Sequence, residues 1–451
     1  MSTPLLVREQ AFGASKEHLS EKLLRTSVIA ASFGNALEWY DFSVYAFFAS
    51  YIAATFFQQG DQTQAMIAAF VVFGAGFIAR PIGSIVVGVV GDRRGRKPAL
   101  LLSLFTMAGG VFIIGATPSA ATIGIAAPLL LLLGRLLQGF SAGGELGSAA
   151  AYLVENAPEN RRGRYAAWLQ ASMGISNLLS AVAGLVVTAL FSNEDVMAWA
   201  WRLPFAFGLL VVPVGLYIRG KLPETDEFRE QKRRLSTRKT LTVLFGRSWS
   251  SLLAGFGFCI LWNTAVYTFI IFGPTYYRIN PALGFTSQQS FLASTVGNLF
   301  FVPACAVAGW LADRVGRQRM LVTGCILLMT APGLLLLFLH SAPTVPALLA
   351  VHSLVCISIA VFVGVAPSTL PMAFPALTRS TGVSITYNLA AIGFAGFIPA
   401  ILAWADDTLT VYSPALLVTF CAAVSLASIP SLFREIRQQE QASDGAAHAQ
   451  K

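Results

Sequence analysis

The sequence predicts an all-α membrane protein, with twelve transmembrane helices in two pseudo-symmetric six-helix bundles and both termini cytoplasmic. Three observations predict it. Hydrophobic residues fill 55% of the 451 positions and charged residues only 12%, against about 25% charged in an ordinary soluble domain, too few to clothe a core of this size in water. A mean hydropathy of +0.65 makes lipid the expected solvent. Apolar runs recur along the chain, and a basic motif recurs at half-chain spacing.

Runs of about 20 residues or more, the length that spans a hydrocarbon core, fall near 25–57, 64–91, 98–117, 121–152, 164–192 and 199–218. After a polar interval six more fall near 248–275, 286–312, 319–339, 345–374, 380–405 and 411–433. Lipid offers no partner to a backbone N–H or C=O, so each run is expected to close its hydrogen bonds internally, as a helix. The first run is too long for a signal-peptide core and no small-residue cleavage site follows it, so it is expected to be retained. Orientation follows from Lys and Arg. Lys16, Lys22 and Arg25 precede the first run, and alternate loops carry Arg93, Arg94, Arg96 and Lys97, then Arg161, Arg162 and Arg164, then Arg314, Arg317 and Arg319, then Arg379, then Arg434 and Arg437. The intervening loops (58–63, 192–195, 405–407) are almost free of them, which puts both ends in the cytoplasm by the positive-inside rule. The net charge of +9 is thus a topology signal dealt out loop by loop and not a nucleic-acid-binding surface.

The interval 219–247 divides the chain into an N-terminal bundle (1–218), a cytoplasmic loop, a C-terminal bundle (248–433) and a short tail (434–451). The loop reads either as a surface-lying helix or as a solvated linker. Five cysteines scattered through apolar runs, with no CxxC spacing, support neither a disulfide framework nor a zinc site, and the four histidines form no cluster. No metal or cofactor is expected. There is no P-loop or HExxH and no cytoplasmic region large enough for an ATPase, which sets aside enzyme and ATP-driven readings.

The division is echoed by a repeat. GVVGDRRGRKP (Gly88 to Pro98) and GWLADRVGRQR (Gly309 to Arg319) share G-x-x-x-D-R-x-G-R, with Asp92 and Asp313 separated by 221 residues. Two parallel halves suggest a pseudo-two-fold axis along the membrane normal and a site at mid-depth between them. The motif residues Asp92, Arg93, Gly95, Arg96 and Asp313, Arg314, Gly316, Arg317 lie at helix ends, where Asp and Arg can pair with neighbouring helices in one conformation and release them in another.

A charge at the bilayer centre costs about 2.5 to 3.5 kcal/mol on insertion scales, so each deep ionisable residue is a functional candidate. Glu38 and Asp41 lie midway along the first span, Arg80 on the second, and Arg135 and Glu145 on the fourth. Glu38 and Asp41 are i, i+3, and Arg135, Gln138, Ser141, Glu145 and Ser148 share a face. Gly139, Gly143 and Gly147 form a small-xxx-small ladder that lets a neighbouring helix approach. Pro81 removes a backbone donor, and a bend that aims Arg80 inward is expected. With three carboxylates and two guanidiniums, one acid is left unpaired, and burial disfavours its charged form. Glu38, Asp41 and Glu145 are therefore the proton-coupling candidates; Arg80, Arg135 and Gln138 are the substrate or network groups. The rival reading is a fixed ion-pair lattice. Asn263 with Tyr267 (i, i+4), Asn298, Tyr387 and Asn388 supply neutral polar groups, each readable as an interhelical hydrogen bond or as a ligand contact.

The duplicated motif resembles the signature of the major facilitator superfamily over nearly the whole chain. GNALEWYDFSVYAF, FIARPIGSIVVGVVGDRRGRK, GRLLQGFSAGGELGSAAAYLVENAP, WAWRLPFAFG and LPETDEF are similar to the metabolite:proton symporter family, which includes citrate, alpha-ketoglutarate and shikimate permeases and proline/betaine transporters. The resemblance implies a multi-pass protein of a bacterial inner membrane, a functional monomer in the lipid bilayer whose partners are protons and a small organic molecule. RLLQG (Arg135 to Gly139) matches a superfamily motif associated with proton coupling, and the Asp motifs match those that lock the outward-facing state, although the second ends Gln318-Arg319 where the first ends Lys97-Pro98. The expected cargo is a di- or tricarboxylate such as citrate; the alternative is a zwitterion such as proline or betaine. The tail after Leu432 lacks the heptads of an osmosensing coiled coil, which favours the acid. An uncoupled facilitator or channel is the more distant alternative.

Overall fold

The structure, a computed structural model, describes residues 28, 32, 35, 36, 39–57, 61–94, 96–143, 145–210, 244–246, 248–376 and 378–448, of which 91–94, 96, 97, 100, 145, 146 and 443–448 are described by backbone alone. Among the described residues the regular structure is entirely helical. The helices are α1 (39–56, with a turn at Phe48), α2 (Gln62–Arg94), α3 (Arg96–Ala116), α4 (Ala126–Ala142), α5 (Glu145–Asn156), α6 (Arg162–Leu190), α7 (Ala200–Leu210), α8 (Trp249–Ile271), α9 (Gly273–Ile279), α10 (Ser287–Val315), α11 (Arg317–Ser341), α12 (Val345–Ala373), α13 (Arg379–Thr408) and α14 (Ser413–His448).

Among the described residues nine helices are long and apolar enough to cross a membrane, against the twelve expected. The three other expected spans correspond to α1, α3 and α7. α1 and α7 adjoin residues outside those described, and the apolar part of α3 shortens to Leu101–Ala116.

Local sequence explains where helices start and stop. Thr286 caps α10 in a capping box with Gln289, each side chain bonded to the other's backbone N–H. Gly316 ends the same helix at φ 104°, a backbone region that a residue with a Cβ rarely enters, so the glycine of the second D-R-x-G-R motif is needed for the turn into α11. α2 keeps helical geometry through Pro81 and runs 33 residues, about 50 Å at 1.5 Å per residue. It overshoots a ~30 Å hydrocarbon core and carries its D-R-R end beyond it.

Each helix sorts its faces. On α2, Ile78, Ile82 and Ile85 are exposed while Phe73, Phe77 and Arg80 are buried. Such a contiguous exposed aliphatic stripe is a liability in water but the required contact in lipid. α8 is an interior helix, with 94% of its apolar window buried, whereas α11 and α14 are peripheral at 33%. The glycine ladder lies where helices touch. A side chain at Gly139 would collide with the Gly76 carbonyl and one at Gly143 with the Arg80 carbonyl, both on α2, while one at Gly147 would strike Ser380 and Ser384 of α13. α6 and α10 run antiparallel in contact along most of their length, with Gly163 against Gly309, Gly174 against Phe301 and Gly184 against Phe291.

Candidate functional site

At mid-depth α1, α2 and α4 converge on two guanidiniums. Arg80 is 3% exposed and Arg135 fully buried. The Arg80 guanidinium carbon lies 4.1 Å from the ring centre of Phe77, 4.8 Å from Phe42 and 5.5 Å from Trp39; that of Arg135 lies 4.5 Å from Tyr45, 4.5 Å from Phe73 and 4.6 Å from Phe42. Phe42 is thus shared by both cations. Stacking on ring faces partly replaces the hydration that a buried guanidinium loses, and it leaves the in-plane N–H edges for hydrogen bonds. Arg135 uses two of them: Nη1 donates to Gln138 Oε1 at 2.7 Å and Nη2 to the Phe73 carbonyl at 3.2 Å. Arg80 Nε and Nη2, Arg135 Nε and Gln138 Nε2 are buried without a hydrogen-bond partner among the described residues.

Asp41, next to this cluster, is 6% exposed, and its Oδ1 packs against Gly208 of α7, where any side chain would displace it. Oδ1 has no hydrogen-bond partner among the described residues. Arg135 is within electrostatic reach of Asp41, yet no ion pair within 4 Å joins them. Glu38 lies outside the described residues and Glu145 is described by backbone alone. Ser141, expected on the Arg135 face, instead exchanges hydrogen bonds with Ser103 of α3.

The facing side is neutral. Tyr267 lies in a π turn (Val266–Ile271) of α8, and its ring meets Phe77 at 5.5 Å, Phe73 at 6.2 Å and Trp39 at 6.3 Å. Single π turns inside α-helices are frequent at functional sites. Asn263 gives its amide N–H to the Cys259 carbonyl, leaving Oδ1 buried without a partner among the described residues. Asn388 donates to the Gly143 carbonyl at 3.0 Å, an interhelical bond from α13 to the α4–α5 junction. The rings of Trp262 and Tyr387 meet at 5.2 Å.

Two sets of contacts close the helix groups at opposite ends. At the end bearing the arginine loops, the Asp313 carboxylate accepts from the backbone N–H of Gly163 at 2.7 Å and Arg164 at 2.8 Å, capping the first turn of α6. Its partner is therefore a helix N-terminus, and among the described residues it makes no side-chain ion pair. Arg317 donates to the Ser368 carbonyl at 3.0 Å, Arg314 stacks on Trp310 and Arg379 pairs with Glu155 at 3.0 Å. Asp92, Arg93 and Arg96 are described by backbone alone and Gly95 lies outside the described residues. At the other end the contacts are aromatic: Phe48 with Phe291 at 5.5 Å, Phe70 with Phe272 at 5.7 Å, and Arg278 over Tyr51.

A model of the Major Facilitator Superfamily matches residues 31–398. The chain belongs to that superfamily. It is a multi-pass membrane transporter, not an enzyme. A citrate-proton symporter of Klebsiella pneumoniae is 35% identical over 412 residues, 90% of this chain and 91% of that one. A proline/betaine transporter of Escherichia coli (strain K12) is 31% identical over 419 residues, 89% of this chain and 82% of that one. In fold, the proton:xylose symporter XylE bound to 6-bromo-6-deoxy-D-glucose superposes with a TM-score of 0.73 at 15% identity, over 91% of this chain and 95% of that one.

Reading the sequence for charge in this superfamily member misses the aromatic lining. Phe73, Phe77 and Arg80 are spaced i, i+4, i+7 and Trp39, Phe42 and Tyr45 i, i+3, i+6, a signal present but masked by an apolar background in which any ring passes for lipid contact. Asn177, fully buried on α6 and bonded to Ser43 of α1, also goes unnoticed.

Proposed function

We propose that the chain is a proton-coupled symporter that imports a small organic acid, a di- or tricarboxylate such as citrate or alpha-ketoglutarate, by alternating access. The observation that carries this reading is the pair of stacked guanidiniums with unused in-plane donors, Arg80 Nε and Nη2 and Arg135 Nε. Planar N–H edges match carboxylates. A quaternary ammonium would instead need bare ring faces, and the faces of Phe42, Phe73, Phe77 and Tyr45 carry the protein's own cations. The relatives carry names of both classes, and the chemistry of the cluster favours the carboxylate.

Asp41 is the proton carrier in this scheme, with Glu38 and Glu145 as its companions. An ionised carboxylate without a partner costs several kcal/mol in a low-dielectric interior. Proton entry relieves that cost and frees Arg135 for the cargo; release of cargo and proton on the other side restores the attraction. Asn263, Tyr267 and Asn388 close on the cargo from the facing side. The capped α6 end and the motif residues Asp92, Arg93, Gly95, Arg96, Arg314, Gly316 and Arg317 hold one gate shut while the other opens. The scheme uses twelve spans in two bundles (1–218 and 248–433) joined by the loop 219–247, with the tail 434–451 and both termini cytoplasmic, acting as a monomer in the lipid of a bacterial inner membrane.

The test is uptake of labelled citrate into vesicles under an imposed proton gradient. Accumulation that collapses with an uncoupler is expected, and in Asp41→Asn accumulation is lost while exchange of preloaded substrate remains. An Asp41→Asn protein that still concentrates cargo removes Asp41 from the coupling role. Competition by betaine or proline but not by carboxylates reverses the assignment of cargo.

A further inference from the structure

A polar node that the scheme above does not use sits where α6 crosses α10. The three glycine contacts of this antiparallel pair, Gly163 on Gly309, Gly174 on Phe301 and Gly184 on Phe291, fix its register, and that register puts Asn177 level with Asn298, each on the stripe that faces the other helix. Both amides are fully buried. Each spends one end on the surrounding structure: Asn177 Oδ1 accepts from the Ser43 hydroxyl of α1, and Asn298 Nδ2 donates to the Ser294 carbonyl at 2.8 Å. Each leaves the other end, Asn177 Nδ2 and Asn298 Oδ1, buried without a hydrogen-bond partner among the described residues.

One unused donor and one unused acceptor at the same depth, on helices from the two halves of the chain, complement a group that both accepts and donates. A hydroxyl does so; a keto oxygen or a methylene does not. Ser43 follows Phe42, the ring shared by both arginines, so the node adjoins the carboxylate-binding cluster. We propose that Asn177 and Asn298 form a hydroxyl subsite, accepting from the cargo's O–H through Asn298 Oδ1 and donating to the same oxygen through Asn177 Nδ2. The cargo is then a hydroxycarboxylate. The subsite also spans the seam between the halves, so filling it ties cargo recognition to closure.

This assignment rests on the symporter reading, and the test keeps the two apart. Full-length protein in proton-energised proteoliposomes is assayed for competition by pairs that differ only in a hydroxyl: citrate and propane-1,2,3-tricarboxylate, malate and succinate, carnitine and γ-butyrobetaine. Within whichever series is carried, the hydroxylated member is expected to compete roughly 10-fold better or more, as when a buried hydrogen-bonding group is left unmatched. Asn298→Leu and Asn177→Leu are expected to erase that difference by weakening the hydroxylated member, with its deoxy partner within about twofold of wild type. Equal competition by both members against the wild type, which needs no variant to fold, overturns the subsite, as does equal weakening of both in the variants. If the carnitine pair alone competes, the carboxylate reading falls, and preference within that pair still decides the subsite.

Discussion

The cluster built by α1, α2 and α4 and the cluster facing it from α8, α10 and α13 use different chemistry at the same depth. The first holds two buried guanidiniums against five rings, with free N–H edges. The second presents Asn263, Asn298, Asn388 and Tyr267, whose amides are partly tied to nearby carbonyls. The difference teaches a division of labour. One half can hold an anion strongly while the other closes on it with neutral bonds that break cheaply, as a carrier that must release its cargo requires.

The largest expected effect comes from removing the charge. Arg135→Ala should lower initial uptake of a labelled carboxylate by about 100-fold or more, since truncating a buried hydrogen-bonded charge costs roughly 2–5 kcal/mol. Arg135→Lys should not restore it, because an ammonium has no flat face to lie on Phe42, Tyr45 and Phe73. Near-normal uptake in either variant would move anion recognition elsewhere. Next, Asn263→Ala should raise KM about 2- to 10-fold with kcat changed by less than about twofold, as for a neutral hydrogen bond of roughly 0.5–1.5 kcal/mol. A loss as severe as that of Arg135→Ala would erase the contrast between the halves. The smallest effect belongs to the gate. Asp313→Asn keeps an acceptor for Gly163 and Arg164 but removes the charge from the α6 N-terminus, worth about 0.3–1 kcal/mol. Thiol labelling of a Ser384→Cys reporter beside Gly147 should rise roughly 2- to 5-fold on this account. The native cysteines are all buried and give little background. Unchanged labelling would mean that the cap does not bias the gate.

Much of this was legible in the sequence because lipid imposes simple rules. Apolar length, the alternation of Arg-bearing loops and the duplicated D-R-x-G-R motif each reflect a single physical constraint acting locally. Partner identity did not share that property. The ladder Gly139, Gly143, Gly147 announces close approach, yet its spacing does not reveal that two rungs meet α2 and the third meets α13. Ser141 falls on the helical face of Arg135 but turns to Ser103, because an i, i+6 offset is wide enough to reach a different neighbour. α14 itself runs on past Phe433 to His448, into the tail, where Ile436 is buried and Glu435 accepts from Ser251. Leu432 and Ile436, one turn apart, carried that continuation beneath the polar composition of the tail.

Backbone-to-backbone contact between α2 and α4 at Gly139 and Gly143 mounts Arg80 and Arg135 on what is mechanically a single strut. When the two halves of the chain rock, that strut travels whole, and the gap between the two cationic heads stays constant. Under the proposed scheme the pair works as callipers: an acid is sized by the distance between its charged ends, and molecules with the right charge but the wrong length go uncarried.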